Sequence, residues 1–449
     1  MAPPFDLLSA WIEAQIATRG WPGVAIGVVH DQELVWKRGF GWADVGRRVP
    51  ATPGTRYRVA SITKTFTATA IMQLRDAGKL RLDDEVHHHL PWFTPRNTHD
   101  DAAPITIQHL LTHTAGLPRE AAFPYWTDGA FPSLDAIRAT VPEQDCVLPT
   151  DTRWKYSNLA LVVAGEIVSA VSGMPWADYV KSHVLEPLGM RDTLVRTPAP
   201  DDARLALPYG RRLPSGERQP APASEVGGIS AAAGLSTTVE DLARFVMLQF
   251  RRGPAGGAHV LRGSTLREMH RVHWIEPDWQ AGWGLGFHMY RFKGRTLIGH
   301  GGALRGYRSE MRFCPAERLG VIALINADDG EPRTIVDKVF EWVAPALAPS
   351  PAPAVADLAW QRYVGRYRNA WGDTHVLVVD GRLTMIGIFL PDPMLAPATL
   401  VPVGEHTFRI DGKDGYGSHG EHVVFELDSA GKVARARIGA NYTTPVDEW

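Results

Sequence analysis

Apolar residues recur at helical spacing near the start of the chain, where Leu8, Trp11, Ile12 and Ile16 fall on one side of the stretch Phe5 to Arg19. That period predicts an amphipathic helix. β-branched runs follow: Val24–Val29 and Leu34–Lys37 flank the turn-prone His30-Asp31-Gln32-Glu33 and predict a hairpin. Helical spacing returns after Ser61 with Ile62, Phe66, Ala70 and Leu74, broadened by Ile71 and Met72. A helix through the middle of a core is expected there. Further helices are predicted around Thr106–Leu111, Leu134–Thr140, Leu159–Ser172, Trp176–Val184 and Val239–Gln249. Strand character resumes at Gly286–Phe292, Thr296–Gly299, Arg308–Phe313 and Gly320–Asn326, and a helix is expected around Thr334–Val343. Strands at both ends with helices between them imply an α/β fold, an antiparallel sheet flanked by the terminal helices and facing an all-helical lobe across a cleft. The catalytic part is read as residues 1–344, with the helical lobe inserted at about 65–280.

Residues 345–357 are rich in proline and alanine and read as a linker. Beyond it, 358–449 alternates in short runs. Val376–Val379, Asp380-Gly381 and Arg382–Met385 form a hairpin signal, continued by His422–Glu426 and Lys432–Ile438. A small up-and-down barrel or curled sheet is expected, with an accessory or oligomerisation role, so a homo-oligomer is among the expected assemblies.

Composition narrows the functional classes. A net charge of -2 over 449 residues, without a basic run, gives no reason to expect nucleic acid. Cys146 and Cys314 are too few for a disulfide framework and lack metal-ligand spacing. The start, Met1-Ala2-Pro3-Pro4-Phe5-Asp6, has neither a charged n-region nor an apolar h-region, and no apolar run reaches membrane-spanning length. A cytoplasmic protein is expected, or a periplasmic or secreted one had a leader been trimmed.

The stretch with chemical content is Ser61-Ile62-Thr63-Lys64. Residues three apart on a helix share a face, which brings a hydroxyl and an amine together. A serine attacks only when a base takes its proton, and a lysine is such a base only when burial or a nearby cation lowers its pKa. Unpaired N–H groups in the first helical turn suit a developing oxyanion. The pattern alone is weak, because Ser429-Ala430-Gly431-Lys432 repeats it in an obvious turn. Two downstream pieces strengthen it: Tyr156-Ser157-Asn158 supplies a phenol and an amide, and His300-Gly301-Gly302 an imidazole beside residues slim enough for a substrate to lie along the backbone.

With these three elements the chain resembles the serine β-lactamase and penicillin-binding-protein superfamily. It is most similar to the class C-like branch, which includes family VIII carboxylesterases and D-aminopeptidases. His109–Leu117, Pro187-Leu188-Gly189-Met190 and Gly299-His300-Gly301-Gly302 also carry the resemblance. It departs at His300, where β-lactamases and DD-peptidases usually have lysine. The C-terminal segment is similar to the lipocalin-like domains of some relatives. The resemblance implies an acyl-enzyme at Ser61, with Lys64 and Tyr156 sharing the proton transfers and either one as base. Asn158 would hold Lys64 or the acyl amide, and His300 would orient Tyr156 or the substrate along the strand of Gly301 and Gly302. The N–H groups of Ser61 and Ala303 would form the oxyanion hole. A serine hydrolase without cofactor is expected, acting on small acyl esters with slow β-lactam turnover as a side activity. D-aminopeptidase or DD-peptidase-type amide hydrolysis is the alternative, and a non-catalytic binding protein of the same fold the third reading.

Other motifs read as structural. His109 and His113 are four apart but lack the glutamate of a zinc helix, so no metal is expected there. His87-His88-His89 is read as a solvated loop, and Gly282-Trp283-Gly284-Leu285-Gly286 as a turn.

Overall fold

Seven of the eight residues of Gly23–His30, and all seven of Leu319–Ile325, are buried, because their sheet is covered on both faces. In the computed structural model the described residues are 4–100, 103–196, 198–199, 202–222, 225–251, 260–347, 358–379, 381–386, 397–412 and 417–446. The chain divides into two compact units, Met1–Ala348 and Pro349–Trp449.

In the first unit the described residues form a nine-stranded sheet. Its order is Val49–Pro50, Glu33–Asp44, Gly23–His30, Leu319–Ile325, Tyr307–Cys314, Arg295–Leu304, His288–Phe292, Ala281–Trp283 and Trp274–Ile275, all antiparallel. Side chains alternate across a pleated strand. Val24, Ile26 and Val28 therefore pack with Leu8 and Ile12 of the first helix, Phe5–Arg19, and with Ile335, Val336 and Val339 of the last long one, Pro332–Trp342. Ala25 and Val29 join the opposite core with Val239, Leu242 and Val246 of Val239–Gln249. Small residues on this face allow that helix to approach: a Cβ on Gly27 would lie 2.5 Å from Val239 Cγ1, and one on Gly320 2.3 Å from Val246 Cγ1.

The helical lobe is built on Thr63–Asp76 and Asn158–Ser172, both buried over most of their length. Phe66 stacks on Phe245 with ring centroids 4.0 Å apart and ties the lobe to the sheet-covering helix. Among the described residues no single helix is long and apolar enough to cross a membrane.

Differences from the sequence reading are local. Of the turn expected at Gly282–Gly286, Gly282 and Trp283 belong to the strand Ala281–Trp283, Trp283 pairing with His288, and Gly284–Gly286 form the turn, closed by Gly284 N–H to the Phe287 carbonyl at 2.8 Å. The strand expected at Thr296–Gly299 runs from Arg295 to Leu304, carrying His300-Gly301-Gly302-Ala303 into the sheet. His87 and His88 are exposed as expected, but on a one-turn helix, Val86–His89. The helix Gly263–Met269, with Leu266 and Met269 buried, was not anticipated.

In the second unit the described strands close into an eight-stranded antiparallel barrel, each paired with the next and the first with the last through Tyr367 opposite Pro445. Its interior is filled by side chains. Tyr363, Phe408 and Phe425 meet with centroids 4.7–5.8 Å apart, above Leu383, Leu400 and Val423. Of the expected linker, 345–347 fall in the short helix Ala344–Leu347 and 348–357 lie outside the described residues. Asp380 of the expected hairpin turn lies outside them too, whereas Gly381 has the positive φ of 70° that such a turn needs.

Candidate active site

Ser61 lies in a 3-10 turn, Ala60–Ile62, that leads directly into Thr63–Asp76. It caps nothing with its side chain. Ala60 takes a φ of 45°, a conformation that costs energy for a residue with a Cβ and that turns the following hydroxyl toward the cleft. Lys64 Nζ and Tyr156 OH each lie 2.9 Å from Ser61 Oγ. An amine three residues away and a phenol 95 residues away thus meet at one oxygen.

Lys64 is fully buried, and its amine also donates to the Ala232 carbonyl at 2.9 Å. Burial pushes its pKa well below the ordinary lysine value; Glu120 opposes the shift and Arg119 adds to it. Tyr156 moves the other way. Burial raises its pKa, against the Ser61 hydrogen bond and the Arg119 cation. Burial thus favours the neutral amine and the protonated phenol.

Tyr156 is held by a segment that single motifs did not reveal. Lys155 N–H donates to the His113 carbonyl at 2.8 Å, Ser157 N–H to His113 Nδ1 at 3.1 Å, and Asn158 N–H to the Arg119 carbonyl at 2.7 Å. The His113 ring lies 4.4 Å from that of Tyr156, and the Arg119 guanidinium 4.9 Å from it on centroid distances. Ser157 Oγ accepts from Ala160 N–H at 3.0 Å, capping Asn158–Ser172, and donates to the Pro118 carbonyl at 2.6 Å. Ser157→Ala is expected to cost about 1–2 kcal/mol, as losing a helix cap does, read as a lower melting temperature.

Asn158 lines the cleft but does not hold Lys64, the first of its two expected roles. Its Nδ2 donates to Glu120 Oε1 at 2.7 Å, and Lys64 finds its second partner in Ala232 instead. Glu120 also accepts from Tyr125 and sits 3.3 Å from Arg119. His300 makes no hydrogen bond to Tyr156; their ring centroids are 6.1 Å apart. Its Nδ1 faces the Gly301 carbonyl at 2.5 Å, and burial with nearby Lys64 pushes its pKa well below the ordinary value.

The strand Arg295–Leu304 borders the Ser61 turn. A Cβ on Gly302 would lie 2.1 Å from the Val59 carbonyl, and Ser309 Oγ donates to that carbonyl at 3.1 Å. Pairing with His288–Phe292 ends at Gly299, so from His300 onward the strand is paired only on the Tyr307–Cys314 side. The cleft, about 1200 Å³, is lined by Ser61, Tyr156, Asn158 and His300 through Ala303. Trp154, stacked 5.6 Å from Trp283, and Trp126 and Phe131 form its apolar walls. No metal-ligand cluster occurs in this cleft among the described residues; one potential cluster, Glu85, His87 and His88, is on the surface.

The Beta-lactamase family model matches residues 8–345, most of the chain and every group just described. The chain belongs to the beta-lactamase family of serine hydrolases. Among similar proteins, the D-aminopeptidase of Gluconobacter oxydans is 28% identical over 339 residues, covering 72% of this chain and 59% of its own. The octameric penicillin-binding protein homologue from Pyrococcus abyssi is 25% identical with a TM-score of 0.67, covering 98% of this chain and 99% of its own. The D-stereospecific amidohydrolase from Streptomyces sp. is 25% identical with a TM-score of 0.62, covering 74% and 97%. The chain spans 54–59% of the length of several curated relatives it matches.

Proposed function

We propose that this beta-lactamase-family protein hydrolyses small amides of D-configured amino acids through an acyl-enzyme on Ser61. The observation that carries the reading is the convergence of Lys64 Nζ and Tyr156 OH on Ser61 Oγ, each 2.9 Å away, where burial favours the neutral amine and the protonated phenol. Neutral Lys64, one N–H held by the Ala232 carbonyl, takes the Ser61 proton as Oγ attacks the carbonyl carbon. N–H groups of Ser61 and Ala303 receive the oxyanion. Collapse of the tetrahedral intermediate requires a proton on the departing nitrogen, which Tyr156 gives; the Lys64 ammonium then restores the phenol. Water enters by the same route in reverse and releases the acid.

Amines leave only when protonated, whereas activated esters depart without help, so a phenol held protonated favours amide chemistry. Glu120, with Asn158 beside it, offers acceptors for a free α-ammonium. The D-configuration is supported by the D-aminopeptidase and D-stereospecific amidohydrolase relatives. Short carboxylesters, the first expectation from the sequence, use the same acyl-enzyme and make a second reading, with slow β-lactam turnover behind it. Assembly beyond the monomer is part of the proposal, since the Pyrococcus homologue is octameric.

The test is a matched panel: D- and L-aminoacyl p-nitroanilides, p-nitrophenyl acetate and a fluorophosphonate. D-aminoacyl anilides should be cleaved about tenfold or more faster than their L counterparts, a discrimination of roughly 1.4 kcal/mol. The fluorophosphonate should add mass at Ser61. Ester cleavage with no anilide turnover would select the second reading. No adduct and no turnover would return the chain to a binding role.

A further inference from the structure

We propose that Glu85, His87 and His88 together hold one Zn²⁺ on the surface of the helical lobe, as a structural staple apart from the cleft. Asp83-Asp84-Glu85 places three carboxylates in a row just before the one-turn helix Val86–His89. Neighbouring residues on a helix point about 100° apart, yet the rings of His87 and His88 converge, with centroids 4.3 Å apart and planes tilted by 52°. Glu85 reaches back to them, its Oε2 3.2 Å from His87 Nδ1. One nitrogen of each ring and one carboxylate oxygen thus lie within 4.8 Å of one another, the one group of three metal-ligating side chains so gathered among the described residues.

Around a tetrahedral Zn²⁺ with bonds of about 2.1 Å, donor atoms sit roughly 3.4 Å apart. A gap of 4.8 Å must then shrink by about 1.4 Å. Rotation of exposed side chains supplies that without moving the backbone, and the His87 and Glu85 side chains are 52% and 36% exposed. Two imidazoles and one carboxylate suit Zn²⁺, whereas Mg²⁺ and Ca²⁺ take shells of oxygen. Asp83 and Asp84 add negative charge beside the donors, with Arg81 paired to Asp83 at 3.0 Å. His89, third in the row, is committed to Asp84 at 2.9 Å, so water completes the tetrahedron.

The backbone behind the donors is pinned. Val86 is fully buried and its N–H donates to the Ile105 carbonyl at 2.9 Å, while Ile107 N–H donates to the Asp84 carbonyl at 3.1 Å and Gln108 N–H to the Leu82 carbonyl at 2.9 Å. These bonds join the ligand segment to the helix Ile107–Thr112, which ends at His113 behind Tyr156. An ion that binds only the folded segment stabilises it by mass action. None of the three donors lines the cleft, so the metal staples the lobe and takes no part in hydrolysis.

The test is calorimetric titration of the untagged full-length chain, stripped with a chelator, by Zn²⁺, Mg²⁺ and Ca²⁺ in turn. One Zn²⁺ should bind per chain, with no heat from Mg²⁺ or Ca²⁺ at the same concentrations. His87→Ala and His88→Ala should each weaken Zn²⁺ by about a hundredfold, the upper end of what losing even an outer-shell partner costs. His422→Ala, at an exposed histidine of the barrel, should leave binding unchanged. Without metal, both ligand variants should melt with the wild type, since an exposed ion pair contributes little. At free Zn²⁺ ten times its Kd, hydrogen exchange at the Val86, Ile107 and Gln108 amides should slow about tenfold. No binding, binding that both ligand variants retain, one metal per two chains, or equal binding of Ca²⁺ overturns the assignment, and exchange unchanged by bound Zn²⁺ overturns the staple.

Discussion

Lys64→Met is expected to lower kcat by about 10⁴-fold, the upper end for loss of a general base, and at the same time to raise the melting temperature. The two effects share one cause. An amine kept neutral by full burial is useful to Ser61, yet the folded chain forgoes a proton that the unfolded chain would hold. Because the folded pKa lies below the unfolded one, the unfolded state binds more protons between the two values. Stability therefore rises with pH through that window, toward 10.5, and the penalty is largest below it. Methionine has the length of the lysine stem and no charge to desolvate. The bond to the Ala232 carbonyl is lost with it, at a net cost of about 1 kcal/mol, but so is the larger cost of withholding a proton that the unfolded lysine binds at neutral pH. Steady-state kinetics and calorimetry on one preparation check both signs. The pH profile adds a third: kcat/KM of the wild type should fall on its acid side as Lys64 gains a proton, and an inactive variant that melts lower would contradict the account.

What the sequence made legible follows from how far apart the interacting residues are. Ser61 and Lys64 are three apart, and a helix is a local structure, so their meeting could be read directly. Tyr156 and His300 could be joined to them only through family resemblance, because strand pairing and lobe closure bring them in from 95 and 239 residues beyond Ser61. Where a side chain's partner lies in an irregular segment, the sequence does not name it. Nothing near Asn158 in sequence indicates that Glu120 would claim its amide, since the loop from Arg119 to Phe131 has no period. His113 was read as structural from its spacing to His109. Its positive φ of 59° and its bond to Ser157 put it directly behind Tyr156, a role visible only once the two segments lie side by side. The strand through His300-Gly301-Gly302 was cut short for a related reason. Gly301 and Gly302 were read as slim for a substrate's sake, but at Gly302 the missing side chain also lets the Val59 backbone pass close by.

That close passage gives the second large effect, in Gly302→Ala. Its new Cβ would lie 2.1 Å from the Val59 carbonyl oxygen and 2.3 Å from Ser309 Oγ. The first neighbour is backbone, two residues before Ser61, and cannot turn aside as a side chain does. The strand must move away from the Ser61 turn, opening the gap across which the N–H groups of Ser61 and Ala303 would have to converge on one oxygen. Losing one such donor costs about 2.7–4 kcal/mol, or 10²–10³ in kcat. Since the oxyanion exists only after attack, KM should change little. Gly301→Ala is the internal comparison: its Cβ would meet Glu310 Oε2 at 2.6 Å, the far end of a side chain that can shift. Circular dichroism should show both variants folded, with kcat falling steeply for Gly302→Ala and only slightly for Gly301→Ala. Equal kcat values in the two would mean that the strand does not contribute the second oxyanion donor, and that the hole is built from the Ser61 turn alone.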